Sequence, residues 1–288
     1  MADGITLVTG ASGTVGAAVV RLLRAAAAPA RAAVPRPQPD GGDTVPFDFG
    51  TPDTWPAAFA GVDRLFLMRP PMITDVKAYI RPVVRFAADH GVRHVVFLSV
   101  MGVNRLFPHW RVERDIEETG LPYTFLRPAF FAQNLVTAYR HDISHHDRIR
   151  LSSGRGKTSF VDSRDVAAVA VAALQDPRAH VGAKHVLTGP HALSYDEVAS
   201  MLSAALGRPV HYEPISALRY RKELLAQGQE SSFVNVQLVI NAVAALGLAS
   251  TVTDTIPEVL GRAATPMRTF IADHVEMWSR AAADDSSG

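Results

Sequence analysis

The chain has 288 residues, 48% of them hydrophobic, enough to bury a sizeable core as one large α/β domain or one such domain with a small appendage. Its 29 basic and 28 acidic residues nearly cancel, which gives no reason to expect nucleic acid or an anionic membrane as partner. There is no cysteine, so disulfides, thiolate metal sites and a cysteine nucleophile are excluded, and no apolar run reaches the roughly 20 residues needed to span a bilayer.

In chain order, an apolar strand at Ile5–Val8 runs into three glycines, Gly10, Gly13 and Gly16, and then a helix to Ala26. A strand, a glycine turn and a helix N-terminus together make an anion site. The first N–H groups of the helix lack internal partners, and its dipole favours negative charge. Gly10 suits a tight turn, Gly13 a close approach to a pyrophosphate, and Gly16 close packing of helix on strand. Gly10, Ser12, Gly13, Thr14, Val15 and Gly16 are the expected diphosphate cradle.

The second strand, Ala30–Val34, ends in Pro35-Arg36-Pro37. An acidic residue there accepts from a ribose 2′-hydroxyl, whereas an arginine suits a 2′-phosphate. Arg36 therefore points to NADPH rather than NADH, unless it is an ordinary loop arginine. Arg31 either assists or is solvated, and Asp40 lies too far along to be the ribose carboxylate. The third strand, Thr44–Phe47, runs into Asp48-Phe49, beside the expected adenine; Asp48 either bonds its amino group or closes a turn. A helix at Thr54–Phe59 precedes the fourth strand, Arg64–Met68, whose end reads Met68-Arg69-Pro70-Pro71. The prolines stiffen a crevice wall, and Arg69 points either into the crevice or out.

A helix at Thr74–Asp89 leads to the strand His94–Ser99. Ser99, at the carboxyl end of the strand, either polarises a substrate carbonyl or caps the strand. His109 heads the helix His109–Thr119 near the same edge and is either a proton donor or a surface N-terminal residue. Met101 and Trp110 offer an apolar lining. The sixth strand, Tyr123–Leu126, is followed by Pro128, Phe130, Phe131 and Asn134, which suit the nicotinamide wall and substrate space, with one of the two phenylalanines expected in the core instead.

The second half is less regular. Helices are expected at Asp162–Leu174, Ser194/Tyr195–Leu206 behind a capping box, Ala217–Gln227, Val234–Ala245 and Pro266–Arg280, with a strand at Lys184–Leu187 and a disordered tail at 284–288. His141, His145 and His146 hint at a metal, but with no carboxylate geometry beside them they read as a solvated loop, and no metal is expected. The pattern is a doubly wound parallel α/β sheet of the Rossmann type with a smaller, mainly helical C-terminal part. The division expected is 1–150 for dinucleotide binding and 151–288 for substrate binding, with 160–190 returning to the sheet. With the first strand at residue 5, no signal peptide is expected, and a cytoplasmic protein is.

As a set, Val8–Gly16, Pro35–Pro37, Gly61-Val62-Asp63, Leu98–Gly102, Glu117–Pro128, Gln133-Asn134-Leu135 and Phe160–Ala167 resemble the NmrA-like group of atypical short-chain dehydrogenases. That group includes quinone and isoflavone-type reductases and redox-sensing regulators that bind NADP without turnover. The resemblance covers roughly residues 4–206 and, more loosely, the rest. It implies an NAD(P)H-dependent oxidoreductase passing hydride from NADPH to a small, apolar or aromatic acceptor (a quinone, enone, ketone or imine), as monomer or homodimer. The alternatives are an NADP(H)-sensing regulator and a biosynthetic isomerase or cyclase. Two departures stand out. The Tyr-x-x-x-Lys pair of ordinary short-chain dehydrogenases is missing after Ser99, and His109 stands where many of the group carry lysine.

Overall fold

The computed structural model describes residues 4–36 and 43–279. Pro37, Asp40, Arg280 and the 284–288 tail lie outside the described residues. The strands are β1 (Ile5–Val8), β2 (Ala30–Val34), β3 (Thr44–Pro46), β4 (Val62–Met68), β5 (His94–Leu98), β6 (Tyr123–Pro128), β7 (Phe130–Phe131), β8 (Arg148–Leu151), β9 (Lys157–Val161), β10 (Lys184–Leu187), β11 (Ala192–Ser194) and β12 (His211–Pro214). The α-helices are α1 (Thr14–Ala25), α2 (Trp55–Phe59), α3 (Val76–Asp89), α4 (Pro108–Thr119), α5 (Arg140–His146), α6 (Ser163–Gln175), α7 (Pro177–His180), α8 (Tyr195–Leu206), α9 (Ala217–Ala226), α10 (Ser231–Ala245), α11 (Thr255–Leu260) and α12 (Met267–Asp273).

The chain divides into two compact units: Met1–Pro128 with Ser163–Leu187 and Thr255–Arg262, and Ala129–Asp162 with Thr188–Asp254 and Ala263–Gly288. It thus leaves the first unit at Pro128, not near residue 150, and re-enters it twice.

The first unit is built on a seven-stranded sheet in the order β10-β6-β5-β4-β1-β2-β3, parallel at every pairing. Successive side chains of a strand point to opposite faces. Leu65, Leu67, Val95 and Phe97 therefore join a core with Val76, Ile80, Val83 and Val84 of α3 and Val112 and Ile116 of α4. Phe66 and Val96, between them, are also fully buried, while α1 packs beside α6. Cover on both faces explains the unbroken apolar runs. Because β2 lies on one side of β1 and β4 on the other, the strand order reverses at β1. In open α/β sheets the ligand crevice lies at the carboxyl ends of the strands beside such a reversal. The late return of the chain is secured by Arg262, which pairs with buried Asp165 of α6 at 2.8 Å.

The second unit carries a three-stranded sheet, β11-β9-β7, and a parallel pair, β12-β8. Its core stacks aromatic rings: Phe160 meets Tyr195 edge-on at 5.5 Å, and Trp278, fully buried, donates from Nε1 to the Leu135 carbonyl at 2.8 Å. Ser194 and Glu197 form the expected capping box, and Gly207 ends α8 in the left-handed region at φ 64°. Two expectations are corrected. The helix foreseen over 266–280 stops at Asp273, because His274 Nδ1 donates to the Phe270 carbonyl at 2.8 Å and takes the last turn's acceptor; a 3-10 turn, Val275–Trp278, follows. The histidines at 141, 145 and 146 lie on α5 rather than in a loop, since fully buried Ile143 anchors that helix to the core. Among the described residues no helix is long and apolar enough to cross a membrane.

Candidate active site

The crevice begins at the end of β1. Thr9 is sealed in the interior, its hydroxyl donating to the Phe66 carbonyl at 3.1 Å and accepting from the Met68 N–H at 2.8 Å. This locks β1 to β4 where the chain must turn. Gly10 makes the turn at φ +63°, and a Cβ there would run into the Met68 methyl. A Cβ on Gly16 would overlap the Gly10 carbonyl, so the third glycine brings α1 onto the turn itself rather than onto the strand, as the sequence suggested.

Gly13 is different. Its φ of −86° suits any residue, and the nearest obstacle to a Cβ is the Gly10 carbonyl at 3.3 Å. That contact is tight but needs a shift of only a few tenths of an ångström, far less than the overlaps at Gly10 and Gly16, which fits a backbone kept bare chiefly for a ligand. The same end of α1 has no side-chain cap and no acidic residue in its first turn. Ser12 and Thr14 are exposed, while Val15 is buried, so Val15 offers a ligand only its backbone.

Around this turn, Arg36 is exposed just past β2, and among the described residues nothing hydrogen-bonds or pairs with it. Arg31 is neither a helper nor solvated: its Nη1 donates to the carbonyls of Ala58 at 3.1 Å and Ala60 at 2.7 Å. Asp48 closes a turn, accepting from the Gly50 N–H at 2.7 Å. The Phe49 ring is core, edge-on to Phe47 at 5.0 Å, which leaves its backbone alone to meet a ligand. Arg69 turns back on its own loop, Nη1 donating to the carbonyls of Pro70 at 3.0 Å and Ile73 at 2.6 Å. Its Nε is buried without a partner, and burial lowers the guanidinium from its usual value.

At the ends of β5 and β6, buried Ser99 donates its hydroxyl to Glu113 Oε1 at 2.6 Å. Arg127 grips the same carboxylate with two prongs, Nε to Oε1 at 3.0 Å and Nη2 to Oε2 at 2.5 Å. Ser99 therefore ties strand to helix, and its proton is not free for a substrate. The Glu113–Arg127 pair escaped the sequence reading; the signal was an arginine inside an apolar strand, which demands a buried acid.

His109, in the first turn of α4, was expected to titrate near neutrality as a proton donor. The structure corrects this. Burial, helped by the nearby Arg69 guanidinium, pulls it down to about 3. Its imidazole is neutral at pH 7, with Nδ1 buried and unpartnered. Trp110 is half-buried and flanked by Arg105 at 5.7 Å and Arg111 at 5.5 Å, and the Met101 N–H donates to the Pro128 carbonyl at 2.9 Å.

In the second unit, Phe130 is half-buried and packs against the core, edge-on to Phe160 at 5.7 Å. Phe131 and Asn134 are half-buried, and among the described residues the Asn134 amide makes no hydrogen bond. Gln133 is committed to Asp162 Oδ1 at 2.8 Å.

The chain as a whole is similar to known proteins. The model of the NmrA-like family matches residues 2–270. The NAD(P)H azoreductase of Xenophilus azovorans is 36% identical over 276 residues, covering 92% of this chain and 94% of that one. The (4-alkanoyl-5-oxo-2,5-dihydrofuran-3-yl)methyl phosphate reductase of Streptomyces griseus subsp. griseus is 32% identical over 286 residues, covering 95% and 99%. Among solved structures, the Citrobacter sp. triphenylmethane reductase complexed with NADP(H) superposes with a TM-score of 0.82 at 25% identity, over 94% of this chain and 99% of that one. The glycine turn on a reversed parallel sheet, matched in sequence across nearly the whole chain, makes this protein a member of the NmrA-like family.

Proposed function

We propose that this protein is an NADPH-dependent reductase of flat, electron-poor small molecules: quinones, enones, ketones or imines. The bare backbone at Gly13, set against an uncapped helix N-terminus, carries the reading. When bound, the nicotinamide cofactor supplies a hydride. The N–H groups opening α1 hold the diphosphate, and Arg36 meets the 2′-phosphate with a cation that nothing else in the described residues occupies. Arg69 and Pro70 form the adjoining wall. Relatives that reduce azo and dihydrofuranone compounds support a conjugated acceptor.

A neutral His109 does not act as a general acid at pH 7. It serves instead as a hydrogen-bonding group for an acceptor oxygen or nitrogen, beside the positive charge of Arg69, and negative charge developing there is stabilised electrostatically. Water supplies the proton. Met101 and Trp110 give the acceptor an apolar surface. The test is consumption of NADPH with a panel of quinones, enones and imines. Turnover of at least one class is expected; tight NADPH binding with no turnover of any would overturn the reading. The depression of His109 away from neutrality favours a second reading, an NADP(H) sensor without turnover. A sensor would bind partner protein differently with and without cofactor.

A further inference from the structure

We propose that His141, Asp142 and His146 form a binding site for a divalent transition metal of the zinc or copper class, on α5 of the second unit. This site is independent of the reductase reading. The sequence alone puts Asp142 next to His141 but does not say whether its carboxylate comes near His146. Coiling the segment into a helix brings it there: one donor atom from each of the three residues lies within 4.8 Å of the other two. The His141 and His146 rings lie edge-on to each other with centroids 5.4 Å apart, and both residues are exposed. His145 is left out of the set, because it stacks on His141 at 4.5 Å and its Nδ1 is held at 3.2 Å from the His141 carbonyl.

The donor chemistry selects the ion. Two imidazoles and one carboxylate suit zinc, copper or nickel, while magnesium and calcium ask for an all-oxygen shell. Three protein ligands leave a fourth position for water. Zinc–nitrogen bonds of about 2.0–2.1 Å require the donors to draw closer than they stand, which the two exposed imidazoles allow around a half-buried Asp142.

The backbone beneath them is fixed. Arg140 Nε donates to the Met277 carbonyl at 2.8 Å, and Arg208 Nη2 to the carbonyls of Ile143 at 3.2 Å and Trp278 at 3.0 Å. One residue opposes the metal: Arg148 lies 3.5 Å from the Asp142 carboxylate and must yield it.

The test uses the full chain without a histidine tag, titrated calorimetrically with Zn²⁺ alone and with Cu²⁺ alone. One ion per chain is expected. His141→Ala and His146→Ala should each weaken binding roughly tenfold or more, about 1.4 kcal/mol, and Asp142→Asn should weaken it less. His145→Ala should leave it unchanged, and Arg148→Ala should strengthen it. Helical content, followed by circular dichroism, should be unaltered in each variant. No saturable binding, or binding that His146→Ala leaves intact, would overturn the site. So would loss of binding in His145→Ala, which would place the ion on the neighbouring histidine pair instead.

Discussion

Arg36 and Arg31 show how little a residue type says without its surroundings. Both sit on or just past β2, yet Arg31 is spent on main-chain carbonyls and Arg36 is not. Arg36→Ala should therefore raise the NADPH dissociation constant about tenfold or more, the value of one charge-assisted hydrogen bond, and leave that of NADH nearly unchanged. Paired calorimetric titrations check this. The buried histidines carry a second expectation. The Thr124 hydroxyl gives its proton to the His180 carbonyl at 2.8 Å, so it must accept from His94 Nε2 at 3.0 Å. His94 Nδ1 is then bare and buried, and burial, with His180 and Arg64 nearby, depresses its pKa to about 4. A depressed histidine takes up its proton more readily in the unfolded chain. The stability it contributes is complete above the unfolded value of about 6.5 and falls as pH drops from there toward 4. His109, pulled down to about 3, acts in the same direction over a wider range. Urea unfolding at pH 7 and pH 5 should differ by about 2 kcal/mol per histidine, and His94→Gln should lose its share of that difference.

Among the elements, β1 with its turn and α1 was legible in all but what Gly10 and Gly16 pack against, Met68 of β4 and the Gly10 carbonyl. Gly16→Ala should abolish dinucleotide binding, since the added methyl meets the Gly10 carbonyl, which is backbone and cannot swing aside. Gly13→Asp should abolish it too, with a much smaller change in melting temperature; thermal unfolding and calorimetry together separate the two effects. α4 was legible as a helix but not as a carrier of Glu113, whose partners come from the ends of β5 and β6. Glu113→Leu would strand Arg127 in a half-buried place without its carboxylate, and should cost about 3–5 kcal/mol by denaturant unfolding. The state of His109 was out of reach for the same reason: its depression comes from burial and from Arg69, a residue of a different crossover. The short strands β8, β9 and β12 were missed because each is defined by a distant partner. α5 was missed because its polar residues hide the one apolar side chain, Ile143, that fixes it.

Across the whole molecule, composition and strand–helix alternation announced the parallel sheet and a return of the chain over 160–190, but not that the chain would leave the first unit at Pro128 or come back a second time at Thr255. Such returns rest on tertiary pairs such as Arg262 with Asp165, which no local pattern records. A ligand that binds the folded chain alone stabilises it by mass action. Saturating NADPH should therefore raise the melting temperature, and in Arg36→Ala the rise should shrink toward that given by NADH.

One edge strand of the sheet, β10, is drawn from residues Lys184–Leu187 and pairs with Phe125–Pro128 of β6. On the ribosome, every other strand of that sheet emerges well before it. Until Leu187 clears the exit tunnel, the nascent protein carries β6 as an open edge, and unpaired edges recruit other chains. Polypeptides truncated just ahead of Lys184 should accordingly precipitate, whereas those released beyond Leu187 need no chaperone to shield that edge.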